Sequence, residues 1–314
     1  MTLKQLTYFL AIAHEGSFLK AAQKVYVAQS ALSHQMALLE DELAASLFDR
    51  TKRGVTLTPA GELLQAHARA VLRQVDDAKT SIASLSDTPE GRVIVGIPHS
   101  VSNALALPLF QSIRLSLPKI ELELTEELTG NLIRQLHGGQ LHMAVLFDDG
   151  TLEDLDVVPL VLERLSVIVP ATVGSQSWVA AKRRTLSLQE ALALPLILPA
   201  APHGVRPIIE RAASQASLSA PNVVADISSI SILRTALLAD MGCTLLPVMP
   251  LMSDIKSGAL RALALKAPGL SRTVCLCRSA HNPPSAAAKL VWQATMALVK
   301  QLSADGRWVD TELV

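Results

Sequence analysis

Apolar residues open the chain at helical spacing: Leu3, Leu6, Phe9, Leu10 and Ala13 share a face, and Gly16 suits a stop. Ser17 is a good N-cap for a second predicted helix, Phe18 to Val25. Tyr26 and Val27 then leave room for a tight connection only. A third predicted helix carries Leu32, Met36, Leu39 and Leu43, whose 4-3-4 spacing makes one apolar face. Phe48 to Thr51 and Val55 to Leu57 read as short strands around Lys52-Arg53-Gly54. Residues 1–58 are thus expected to form three short helices and a hairpin.

Thr58-Pro59 announces a long helix, with Thr as N-cap and Pro at the first helical position. Along it Leu64, Ala68, Val71, Val75, Ala78, Ile82 and Leu85 repeat at 4-3-4-3-4-3, three heptads of an a/d seam. Such a helix packs either on its own domain or on a second chain. The narrow seam and the polar flanks (Gln65, Arg69, Arg73, Asp76, Asp77, Lys79) favour the second chain, giving a homodimer or homotetramer with Leu64, Val71, Val75 and Ile82 at its interface. Residues 59–86 form this linker, and Ser86 to Gly91 ends it.

Beyond residue 91 the texture changes. "RVIVGIP" reads as a buried strand, Ala104 to Leu115 as a helix, "IELELTEE" as an alternating strand, Gly130 to His137 as a helix and "HMAVLF" as a strand. Strand and helix keep alternating, which predicts βαβ units and a mostly parallel sheet over 91–303. The expected class is α/β overall.

Composition adds bounds. A chain of 314 residues suggests two or three domains; half its residues are apolar and 3% aromatic, so the cores are aliphatic. Lys plus Arg equals Asp plus Glu, 28 against 28, so any case for nucleic acid rests on local charge. Cys243, Cys275 and Cys277 lack disulfide or zinc spacing and fit a reducing compartment. Core packing is the better reading of Cys275-x-Cys277 than metal or redox chemistry. The start has no signal-peptide layout, and the apolar stretch from Leu237 to Met252 is broken by Asp240, Gly242, Pro247 and Pro250. The expectation is a cytoplasmic protein without a membrane span, cofactor or metal. Dinucleotide, P-loop, zinc-protease and nucleophile-elbow motifs are all missing, which argues against an enzyme. A solute-binding protein of similar α/β build is the other alternative.

Two short helices, a tight turn and a third helix describe a helix-turn-helix. Opposite the apolar face, the third helix carries Ser30, Ser33, His34 and Ala37 at i, i+3, i+4 and i+7, with Gln29 just ahead. No Lys or Arg lies between Lys24 and Arg50. Base edges ask for donors and acceptors, which short polar side chains supply. Arg50, Lys52 and Arg53 on the hairpin, with Lys20 and Lys24, can hold phosphates. From pattern alone this face is equally a solvated polar surface beside a basic turn.

The segment "LKQLTYFLAIAHEGSFLKAAQKVYVAQSALSHQMALLEDELAASLFDRTKRGVTLTPAG" resembles the N-terminal domain of LysR-type transcriptional regulators. The match runs through AA, Q-x-A-L-S, LE-x-EL, LF-x-R and LTPAG in that order. "RTKRGVTLT", "HARAVLRQ" and "GQLHMAVLFD" look closest to the nitrogen assimilation control branch. The resemblance implies a winged helix-turn-helix, a dimerising linker helix and a two-lobed effector domain like periplasmic binding proteins. It implies binding to double-stranded promoter DNA, with Gln29, Ser33 and His34 touching bases and Arg50 and Arg53 reaching DNA from the wing. Lobe I would span about 91–162 and 268–303, lobe II about 163–267. Ala28, Ser30 and His34 depart from the Ser, Pro and Arg common at those positions, and His142 replaces a common Asp.

In open α/β sheets, ligands sit beyond the carboxyl ends of strands. The first such end leads into His99-Ser100-Val101-Ser102-Asn103, "LILPAAPHGVRP" leads into His203 and Arg206, and "ADISSIS" leads into Ser228 and Ser229. Ser100, Val101, Ser102, His203, Arg206, Ser228 and Ser229 are therefore the candidate seat for a small anionic metabolite. The competing reading is that the serines cap helices and Arg206 is a surface loop residue.

Overall fold

The computed structural model of the chain describes residues 1–51, 54–83, 89–150, 152–171, 178–200 and 204–314, and at positions 50, 51, 81 and 83 the backbone alone. Helix α1 (Leu3–Glu15) starts with a capping box: Thr2 accepts the Gln5 N–H, and the Gln5 side chain accepts the Thr2 N–H. It stops at Gly16, whose φ of 60° suits glycine. Ser17 caps α2 (Phe18–Lys24). The chain then turns through Tyr26 at φ 56° into α3 (Gln29–Leu43). Strands β1 (Phe48–Thr51) and β2 (Gly54–Leu57) pair antiparallel, Phe48 opposite Leu57.

Leu32, Met36 and Leu39 are buried against Leu6, Phe9 and Ile12. Phe48 closes this core, its ring 5.2 Å from Phe9 and 5.7 Å from Phe18. Leu43, expected on the same face, is 38% exposed; it is the last residue of α3, just before the chain turns left-handed at Ala44.

Helix α4 (Pro59–Ala83) begins where Thr58 Oγ1 accepts the Gly61 N–H and donates to Ser46 O. A Cβ on Gly61 would lie 2.2 Å from Leu47 O, so only glycine lets the helix approach this closely. Ala68 is buried in the N-terminal core, and Leu64 and Leu72 pack against it. The predicted seam is therefore divided. Leu64 and Ala68 serve the chain's own core, whereas Val71 and Ile82 are exposed.

The remaining chain forms β3 (Gly91–Pro98), α5 (His99–Ser116), β4 (Ile120–Glu127), α6 (Thr129–His137), β5 (Met143–Phe147) and β6 (Leu155–Arg164). It passes through β7 (Ser166–Pro170), β8 (Thr185–Leu186), α7 (Leu188–Ala193), β9 (Leu196–Leu198), α8 (Arg206–Gln215), β10 (Val223–Asp226), α9 (Ile230–Leu238) and β11 (Thr244–Leu246). It ends with a 3-10 turn (Met249–Leu251), α10 (Met252–Ser257), β12 (Leu260–Leu265), β13 (Ser271–Ser279), α11 (Ala286–Ala304) and β14 (Thr311–Leu313). Helix α5 starts five residues before the expected Ala104, directly after β3.

One sheet has six strands in the order β14-β6-β13-β5-β3-β4, and a second has four in the order β11-β7-β12-β8; β9 and β10 pair separately. The expected mostly parallel sheet is in fact mixed. Strand β3 runs parallel to β4 and β5, but β13 is antiparallel to β5 and β6. The cause is connection: β6 runs into β7 through Leu165 alone, and β12 runs into β13 across residues 266–270, with no helix between. These two short crossings join a lobe around Val95, Leu105, Val145 and Val291 to a lobe around Val167, Leu196, Ile209 and Leu245, each with its own core. β14 adds an edge strand to the first lobe beyond the segment expected to form it.

Candidate functional site

The buried face of α3 leaves the opposite face outward. Gln29, Ser30, His34 and Ala37 are exposed and Ser33 is half-buried, so the expected hydrogen-bonding residues share one surface. Ala28 gives the first turn no side-chain cap, which leaves backbone N–H groups open there. Tyr26, read from sequence only as a connector, stands 94% exposed beside that end. The turn it occupies, at positive φ, is a feature no periodicity reveals.

The positive charge is distributed less freely than the sequence suggests. Lys24 donates to Glu15 at 2.8 Å, and that contact holds the Glu15 carboxyl below its usual range. Lys20 is exposed. Arg50 sits on β1 opposite Val55, but its side chain, and all of Lys52 and Arg53, lie outside the described residues. At the far end of α3, Glu40 accepts the Leu47 N–H at 2.7 Å, so part of the acidic cluster is an internal tie.

The second candidate site lies between the lobes. A cavity of about 180 Å³ is lined by Ser100, Thr129, Phe147, Val205, Ser228 and Arg272, among others. Ser100 stands in the first turn of α5, immediately beyond the carboxyl end of β3. Ser228 faces it from the other lobe, where its Oγ accepts the Ala200 N–H at 3.2 Å. Ser102 donates to His99 O and, with Ser229, lines an adjoining opening rather than this cavity. Ser229 also caps α9. Val101 points into the lobe core and is fully buried. Arg206 bonds Glu210 and, at 2.9 Å, Asp226, and does not line the cavity. His203 lies outside the described residues.

The floor of the cavity holds a group that sequence reasoning missed. Arg272 on β13 and Glu163 on β6 form a buried ion pair, Arg272 Nε and Nη2 donating to Glu163 Oε2 at 2.8 and 2.6 Å. Arg272 Nη2 also donates to Ser100 Oγ at 3.0 Å, and its guanidinium lies 3.6 Å from the Phe147 ring centre. Trp308 Nε1 donates to the other Glu163 oxygen at 2.8 Å. Burial pulls the Arg272 guanidinium below its ordinary value, and Glu163 opposes that pull.

A larger opening, about 890 Å³, lies among α1, α4 and the six-stranded lobe, with Leu10, Leu72, Val75, Arg73 and His142 on its walls. No group of three His, Cys, Asp or Glu among the described residues could hold a metal ion. None of the described helices is long and apolar enough to cross a membrane.

Residues 3–62 match the family model for the bacterial regulatory helix-turn-helix protein, lysR family, and residues 86–299 match that for the LysR substrate binding domain. The chain is 33% identical over 308 residues to the nitrogen assimilation regulatory protein nac of Klebsiella aerogenes, covering 98% of each chain. It is 29% identical over 283 residues to the hydrogen peroxide-inducible genes activator of Pectobacterium carotovorum subsp. carotovorum, covering 90% of this chain and 92% of that one. A full-length OxyR variant from Pseudomonas aeruginosa shares the fold with a TM-score of 0.68 at 24% identity, covering 96% and 95% of the two chains. Full-length CbnR complexed with its target DNA shares it with a TM-score of 0.67 at 20% identity, covering 96% and 99%.

Proposed function

This chain belongs to the LysR family of transcriptional regulators, and we propose that it reads a promoter duplex with α3 and responds to a small organic anion between its two lobes. It is a DNA-binding regulator with an effector-binding domain, not an enzyme. The observation that carries the finer reading is the face of α3. Gln29, Ser30 and His34 are exposed at an uncapped helix start, while Leu32, Met36 and Leu39 opposite them are buried. Such a helix offers base edges directional donors and acceptors without bulky charge. Arg50, Lys52 and Arg53 would then supply phosphate contacts from the wing.

Domain limits at 1–58, 59–86 and 91–303 suit this division of labour. Support for a homo-oligomer comes from Val71 and Ile82, exposed on α4, and from Val75 in the opening beside α1. The working compartment would be the cytoplasm. Ser100 and Ser228, facing one cavity from opposite lobes, support ligand-driven closure, provided that the ligand prefers one lobe arrangement. Ser102 and Ser229 line the adjoining opening, and Arg206 lines neither space.

Genome-wide footprinting of the bound protein tests the DNA reading, and a common palindromic site under the footprints is the expected result. The nac relative is named for nitrogen assimilation, so promoters of nitrogen-source genes are the first to assay. Uniform coverage that disappears with salt and shows no shared site would reduce the protein to non-specific binding.

A further inference from the structure

We propose that Arg272 and Glu163 form a charge-neutral floor that fixes Ser100 as a donor and restricts the cleft to a small ligand with a single negative charge on an apolar body. The inference rests on the cleft being the ligand site.

The donor assignment follows from bonding. Ser100 Oγ already accepts from Arg272 Nη2 at 3.0 Å. A hydroxyl has one hydrogen and two lone pairs, so the hydrogen turns away from the guanidinium and is left to donate to a ligand in the cavity that Ser100 lines. Arg272 Nη1 takes no part in the bonds to Glu163 or Ser100. The first turns of α5 and α6 border the same space, and neither helix has a side-chain cap. The floor therefore presents donors, which suit a carboxylate.

The limit of one charge follows from what surrounds the donors. Glu163 cancels Arg272, and Trp308 and Arg272 together occupy both carboxylate oxygens. Phe147 covers one face of the guanidinium. Arg206 is committed to Glu210 and Asp226 outside the cavity. On the rim stand Glu127, bonded to Asn131, and His99, paired with Glu126. Among the described residues no uncompensated cation awaits a second acid group, and Glu127 would repel one. Besides the hydroxyls of Thr129 and Ser228, the remaining walls are Leu128, Ala200, Gly204, Val205, Ile230, Leu246 and prolines, and this mostly apolar lining suits a compact apolar body.

Calorimetric titration of the full chain with butyrate, benzoate, butyramide, succinate and butylamine tests this. One of the two monocarboxylates should bind wild type at least tenfold more tightly than butyramide or succinate. Ser100→Ala should lose at least tenfold in monocarboxylate affinity. Glu163→Gln leaves Arg272 uncompensated, so succinate should gain on the monocarboxylate by at least tenfold, a change in charge preference that a merely structural role would not produce. Should that variant fail to fold, the double variant Glu163→Gln/Arg272→Gln keeps the floor neutral but removes the guanidinium that orients Ser100, so its preference for monocarboxylate over amide should fall at least tenfold. A folded variant with unaltered preference overturns the assignment. Wild type that binds succinate or butylamine best keeps the cleft as a ligand site but overturns the single-charge floor. No binding by any of the five overturns both the cleft reading and the assignment.

Discussion

His142 Nε2 lies 3.2 Å from Asp77 Oδ1, joining the six-stranded lobe to the C-terminal half of α4. The other ring nitrogen accepts the Ile94 N–H at 3.0 Å, which places the imidazole hydrogen on Nε2 and aims it at Asp77. Both side chains are largely buried. The Asp common at this position in the family would instead set two carboxylates against each other.

His142→Asp is therefore expected to loosen α4 from the lobe, at a cost of about 1–3 kcal/mol for the lost bond and the buried unpaired partner. Hydrogen exchange over residues 71–83 should accelerate, and adding Asp77→Asn should restore part of the protection. Unchanged exchange in His142→Asp would mean the helix is held elsewhere.

Base reading by α3 predicts a split between cognate and random DNA. Gln29→Ala or Ser33→Ala should cost about 1–3 kcal/mol on the footprinted site and little on random duplex. Fluorescence anisotropy with both duplexes measures it, and equal losses on the two would remove these residues from sequence readout.

The divided seam of α4 predicts two different failures. Val71 is 39% exposed and Ile82 71% exposed, so Val71→Asp or Ile82→Asp should leave the fold intact and break chain association at micromolar concentration. Ala68 is 1% exposed, so Ala68→Asp should unfold the N-terminal domain instead. Sedimentation velocity beside thermal melting separates the cases. A Val71→Asp chain with unchanged mass would move the main interface to another surface.

The cysteines should be inert while the chain is folded. Burial pushes the Cys275 thiol up to about 11 and Cys243 to about 12, and raises Cys277 as well. A thiol with a raised folded value favours the native state below its unfolded value, near 8.5, and that contribution fades as pH rises through the folded values. Maleimide at pH 8 should therefore label none of the three until denaturant is added. Rapid native labelling of any of them would contradict this.

The local elements were legible because their information is local. The spacing of Leu32, Met36 and Leu39 defines which side of α3 faces the core, and the capping residues Ser17 and Thr58 mark helix starts within four residues of chain. The outward residues Gln29, Ser30 and His34 follow by elimination. The cleft was legible only in outline: strand ends placed Ser100 and Ser228 on one cavity, but also nominated Val101, which is core, and Arg206, which is paired elsewhere. Only the tertiary structure decided the rest. Glu163 and Arg272 are 109 residues apart, and Glu163 and Trp308 are 145 apart. They meet because β6 and β13 run antiparallel and the chain end returns beside β6, a pairing set by two helix-free crossings between lobes. Hydrophobic periodicity records which face of a segment is buried; it carries no record of which distant segment covers that face, and so the charge on the cleft floor was invisible until the strands were placed.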